Sequence, residues 1–100
     1  MNMQAMLAQA QKMQRELQKA QDELKEKEFT VEKAGAVKIV MLGDKTIAEL
    51  TIADDAFDKD NKVMIEEMIG LAINEAMEKV DKAMEEINQR ITGRAQGLGI

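Results

Sequence analysis

A chain of 100 residues with 45% hydrophobic and 33% charged side chains is one domain that can fold, and its net charge of −5 argues against a general affinity for polyanions. It holds no Cys, His, Trp, Tyr, Pro or Ser, which removes disulfides, thiolate or imidazole metal sites and the usual nucleophiles and bases, so neither an enzyme nor a cofactor is expected. The polar N-terminus lacks the apolar stretch of a secretion signal, and no apolar run approaches the roughly 20 residues of a membrane span, which makes the cytoplasm the expected location and leaves no membrane partner.

Residues 1–27 read as one helix, rich in Ala, Gln, Lys, Glu, Leu and Met. Met3, Met6, Ala10, Met13, Leu17, Ala20 and Leu24 step by three and four. That is the heptad period, which draws a narrow apolar seam along one face. Such a seam needs a partner helix, either the second helix of the same chain or a second copy. Its length favours a dimer interface through Met3, Met6, Met13, Leu17 and Leu24, because a domain of this size makes only a small core.

Residues 28–53 read as three strands. Phe29 to Lys33 alternates, and Ala34-Gly35-Ala36 reads as a turn. Val37, Ile39 and Met41 share one face of the second strand. Gly43-Asp44-Lys45 is a hairpin connection. In the third strand Ala48, Leu50 and Ile52 are expected on one face, with Ile47 opposite beside Val40 and Leu42.

Asp54, Asp55, Asp58 and Asp60 fall in a loop that leads into a helix, where carboxylates cap free amides and suit the dipole. They lack the glycine and closing glutamate of a calcium loop. A second long helix is expected over 60–91, with Ile65, Ile69, Ala72, Ala76, Val80, Ala83 and Ile87 as its apolar stripe. Glu66, Glu67, Glu75 and Glu78 on it have no His beside them, so no di-metal centre is expected. Residues 92–100, with Gly93, Gly97 and Gly99, read as a flexible tail.

The fold class is therefore α+β, an α-β-β-β-α subunit with a three-stranded antiparallel sheet. Each helix is roughly 40 Å long at about 1.5 Å per residue. A six- or seven-residue strand is only about 20–25 Å. Both helices must project, and the free ends are the start of the first and the end of the second. Charge follows that geometry. Residues 1–20 carry Lys12, Arg15 and Lys19 against Glu16, a balance of +2, and residues 87–100 carry Arg90 and Arg94 with no acid. Residues 21–86 hold 9 basic and 18 acidic side chains. Lys12, Arg15 and Lys19 fall opposite the seam, so they remain available when the seam is filled. Cations there neutralise phosphates without reading bases. With no aromatic near either tip, stacking on single strands is not expected.

Three stretches carry a resemblance. Met6-Leu7-Ala8-Gln9-Ala10-Gln11-Lys12-Met13-Gln14 resembles the N-terminal helix motif of the YbaB/EbfC family of nucleoid-associated proteins. Ala34-Gly35-Ala36-Val37-Lys38-Ile39 resembles that family's glycine-rich lead-in to the second strand, and Ile69-Gly70-Leu71-Ala72-Ile73-Asn74-Glu75-Ala76 its second-helix signature. The resemblance implies an intertwined, tweezer-shaped homodimer that binds double-stranded DNA in the nucleoid through its first and last helices. Carried onto this sequence, it implies Lys12, Arg15, Lys19, Arg90 and Arg94 as the DNA contacts. The chain differs from the family in having a single glycine before the second strand, no C-terminal Pro and no glycine-rich N-terminal extension. These differences bear on affinity and sequence preference. The alternative function is a helical protein–protein interaction module, to which the Met-rich helices are also suited.

Overall fold

The stretch from Met3 to Glu26 contains no glycine and no β-branched residue, so nothing interrupts helix propagation. It forms α1 (Met3–Glu26) in the computed structural model, which describes residues 2–96 and the side chains of 2–93. Asn2 caps it, its side chain accepting from the Gln4 amide at 2.9 Å. The helix stops at Lys27, whose backbone is extended and whose N–H donates to the Leu24 carbonyl.

Three strands follow: β1 (Glu28–Lys33), β2 (Val37–Leu42) and β3 (Ile47–Ile52), an antiparallel meander with β2 in the centre. The first turn places Ala34 at φ 55° and Gly35 at φ 64°, and the Ala36 amide donates to the Lys33 carbonyl at 2.9 Å. Two successive left-handed residues match the right-handed twist of the hairpin. In the second turn Lys45 is left-handed, and the Lys45 amide donates to the Leu42 carbonyl. Gly43 is required here for a different reason. Its amide donates to the Lys27 carbonyl at 3.0 Å, and a Cβ at this position would overlap the backbone carbonyl of Leu24. The hairpin is thus pressed directly against the end of α1.

The sheet contains one irregularity. Val40 pairs with Glu49 but Met41 pairs with Ile47, so Ala48 is an extra residue, a β-bulge. It overturns the expected alternation of β3. Ile47 joins Leu50 and Ile52 on the face shared with Ile39 and Met41, and Ala48 does not. A bulge resets the parity of the strand, which period-2 patterning has no means of registering.

After β3 the chain passes through a loop and a single 3-10 turn at Lys59–Asn61, where the Asp58 side chain accepts from the Asp60 amide. The second helix, α2 (Lys62–Gln96), lies across β1 and β2. Its Ile65, Ala72, Ala76 and Val80 close on Val31, Val37, Ile39 and Met41 to make the core. Ala72 and Ala76 are wholly buried, and two side chains that small bring the helix close to the sheet. Lys33 pairs with Glu75 at 3.0 Å, Lys45 pairs with Asp81 at 2.6 Å, and the Lys79 ammonium donates to the Thr30 carbonyl at 3.1 Å. These contacts fix the rotation of α2 over the sheet more than they stabilise it, since such exposed pairs are each worth about 0–1 kcal/mol.

The helix runs to Gln96 rather than ending at 91. Ile91 is buried, which anchors the helix beyond the expected stop, and the Thr92 hydroxyl donates to the Asn88 carbonyl one turn back. Gly93 stands in open space and is tolerated. The rest of the expected tail, residues 97–100, lies outside the described residues. Past the sheet, α2 pairs with α1, and the molecule extends over 70 × 20 × 14 Å.

Candidate nucleic-acid interface

The apolar seam of α1 is filled unevenly. Leu24 is buried, Ala20, Leu17 and Met13 are half-buried, and Ala10, Met6 and Met3 are exposed, Met3 by 82%. The buried end faces α2, where Ile91 is covered and Ala83, Met84 and Ile87 are half-buried. The partner of the inner seam is therefore the second helix of the same chain. Of the five residues expected at a dimer interface, Leu24 is enclosed within its own subunit, Met13 and Leu17 are partly covered, and Met3 and Met6 are open. The arm beyond Met13 carries its apolar stripe into solvent.

On the opposite side of this arm, Lys12, Arg15 and Lys19 are all exposed. Helical spacing sets Arg15 and Lys19 one turn apart. The two share one open face of α1 with Gln18, Asp22, Glu23 and Glu26. Lys19 also lines a groove with Arg90 of α2, together with Glu16, Ala20, Glu23 and Ile91. The antiparallel pairing of the helices thus brings Lys19 and Arg90 together from positions 71 residues apart in the chain. Arg94 lies one turn further along α2; its side chain is outside the described residues.

Among the described residues, the ion pairs are made by Lys25, Lys33, Lys45 and Lys62. Lys12, Arg15, Lys19 and Arg90 belong to none of these pairs, so their charge remains available to a partner. Exposed cations on a narrow helical arm are chemically suited to an anionic partner such as a phosphate. Among the described residues no group of acidic side chains could hold a metal ion, and no helix is long and apolar enough to cross a membrane.

Residues 1–95 match the model of the YbaB/EbfC DNA-binding family. The chain belongs to that family. A nucleoid-associated protein of Mycoplasmopsis pulmonis is 42% identical over 91% of this chain and 90% of its own length. One from Acetivibrio thermocellus is 41% identical over 97% of this chain and 87% of its own, and one from Enterococcus faecalis is 40% identical over 84% and 82%. The order of elements expected from the resemblance, α-β-β-β-α, is the order found.

A second exposed surface lies on β3, where nothing in the strand pattern of the sequence marks it. Because α2 covers β1 and β2, β3 is left open, with Ile47 and Leu50 exposed on the very face that forms the core elsewhere. Phe57, Val63, Met64 and Leu71 are exposed as well, Phe57 by 74%. The signal available in the sequence was stoichiometric. One apolar stripe on α2 is too narrow to cover three strands that each carry an apolar face.

Proposed function

We propose that the chain binds double-stranded DNA in the nucleoid as a homodimer, neutralising backbone phosphates with Lys12, Arg15, Lys19, Arg90 and Arg94 at the free ends of its two helices. The convergence of Lys19 and Arg90 on one groove carries this reading, because it joins cations from both helices into a single surface. Membership of the YbaB/EbfC family, and the nucleoid-associated naming of its relatives, support it. The contacts are to phosphate and sugar, so affinity varies little with sequence. The gathering of cations on the arms keeps an acidic protein competent for a polyanion, with the acidic body turned away.

Dimerisation has two supports. The exposed stripe at Met3 and Met6, continuing into Met13 and Leu17, offers a helical face of the coiled-coil kind. The open side of β3, with Leu50 and the nearby Phe57, is apolar surface of a kind that isolated subunits seldom leave exposed. Leu24 contributes from within, by holding α1 at the angle from which the arm projects. A twofold pair doubles the number of cationic arms and allows two stretches of duplex to be engaged at once.

The deciding experiment is fluorescence anisotropy with duplexes of several sequences over a salt series, together with a solution mass determination. The logarithm of affinity should fall linearly with the logarithm of salt. Lys12→Glu with Arg15→Glu should weaken binding by about 100-fold at 0.1 M salt and flatten the slope by about 2, the value for two lost phosphate contacts. Unchanged affinity in this double variant refutes the assignment of the arm. A stoichiometric protein partner, with no duplex retained at moderate salt, would support the interaction-module reading instead.

A further inference from the structure

The face of α1 that holds Arg15 and Lys19 changes sign along its length. Arg15, Gln18 and Lys19 are followed on the same face by Asp22, Glu23 and Glu26. Glu23 also lines the groove shared by Lys19 and Arg90, so it stands at the inner end of both cationic surfaces. Asp22 is engaged, accepting from the Gln18 amide at 3.0 Å and pairing with Lys25 at 3.6 Å. Glu23 and Glu26 are exposed and belong to none of the ion pairs among the described residues. Further along lie Lys25 and Lys27, both exposed, with the Lys27 ammonium 5.5 Å from the Phe29 ring centre. In sequence, Asp22 and Glu23 fall between the cations of the arm and Lys25, and Glu26 falls just before Lys27.

We infer that Glu23, with Glu26 behind it, is the boundary of the DNA contact, a specificity-determining element that confines the duplex to the outer part of α1. This rests on the DNA-binding reading above. Four residues of helix, about 6 Å, separate Lys19 from Glu23. A phosphate held at Lys19 therefore lies within the screening length of about 8 Å at physiological salt, and Glu23 repels the next phosphate inward. On the part of α2 that crosses the sheet, Glu67 and Glu78 stand 23 and 12 residues before Arg90, about 35 and 18 Å along the helix and so beyond the screening length. The boundary limits how many phosphates one arm engages, and so keeps the protein exchangeable along DNA.

The test compares three proteins on one labelled 30-base-pair duplex over a salt series: wild type, Glu23→Gln with Glu26→Gln, and Glu67→Gln with Glu78→Gln. The two variants change net charge equally, and all four residues are exposed. The first variant should bind about fivefold to tenfold more tightly, and its salt slope should steepen by about 0.9 as Lys25 or Lys27 gains a phosphate. The second should stay within about twofold of wild type, as expected for charges beyond the screening length. Equal behaviour of the two variants overturns the boundary, as does tighter binding with an unchanged slope, which would mark a diffuse field effect. In either case the DNA-binding reading stands on the wild-type curve. A wild type that fails to bind overturns both.

Discussion

The arm of α1 and the sheet with α2 over it are made from the same few residue types, yet they end in opposite conditions. In the sheet, Val31, Ile39 and Met41 meet Ala72, Ala76 and Val80, and every apolar side chain of the set is buried. On the arm, Met3, Met6 and Leu7 are exposed. The body is acidic and the arm is basic. One region has its partners inside the subunit, and the other leaves its apolar stripe and its cations exposed.

That contrast can be broken at its joint. Gly43→Ala forces a methyl group into the Leu24 carbonyl and should destabilise the protein by about 3 kcal/mol, as overpacking against backbone does. Urea unfolding measures it; a loss under 1 kcal/mol would mean that α1 is not held at that point. On the arm the expectation is reversed. Met3→Gln with Met6→Gln should leave subunit stability within about 0.5 kcal/mol. The same variant should raise the dimer dissociation constant at least about tenfold, the effect of losing two interfacial anchors. Analytical ultracentrifugation reads the second quantity, and an unchanged constant would move the dimer contact wholly to the β3 face.

The smallest effect belongs to the hairpin. The Thr46 hydroxyl and backbone N–H both donate to the Asp44 carboxylate and hold it below its ordinary 3.8. A depressed value in the folded state means that the contribution is complete above about pH 4 and lost as pH falls through the lowered value. The Thr46 amide shift, followed by NMR, should therefore titrate with a midpoint below 3.8, and Asp44→Asn should abolish that titration.

Much of this was legible in the residues, and the reasons differ by element. The seam from Met3 to Leu24 announces a helix because its period is unmistakable. The projecting arms follow from lengths alone, since two helices of roughly 40 Å cannot be matched by strands half as long. The free ends follow from the order of the elements, and in the fold Lys19 of the first helix and Arg90 of the second line one groove. Periodicity identifies a face without saying what covers it, so the division of the seam between α2 and solvent stayed hidden. The bulge at Ala48 was invisible because one extra residue leaves no mark in composition. The reach of α2 to Gln96 has no plain signal because Gly93, Gly97 and Gly99 read as a tail, while burial of Ile91 carries the helix through Gly93.

The elongation of the molecule has a consequence of its own. A 100-residue domain rounded into a ball has a radius of gyration of about 13 Å; this one reaches 19.8 Å. The added length works as insulation. It parks the surplus of carboxylates far down a rod whose outer end carries the opposite sign, and dissolved ions erase their influence in between. A polyanion approaching end-on thus encounters a cation, although the molecule it approaches is, in sum, an anion like itself.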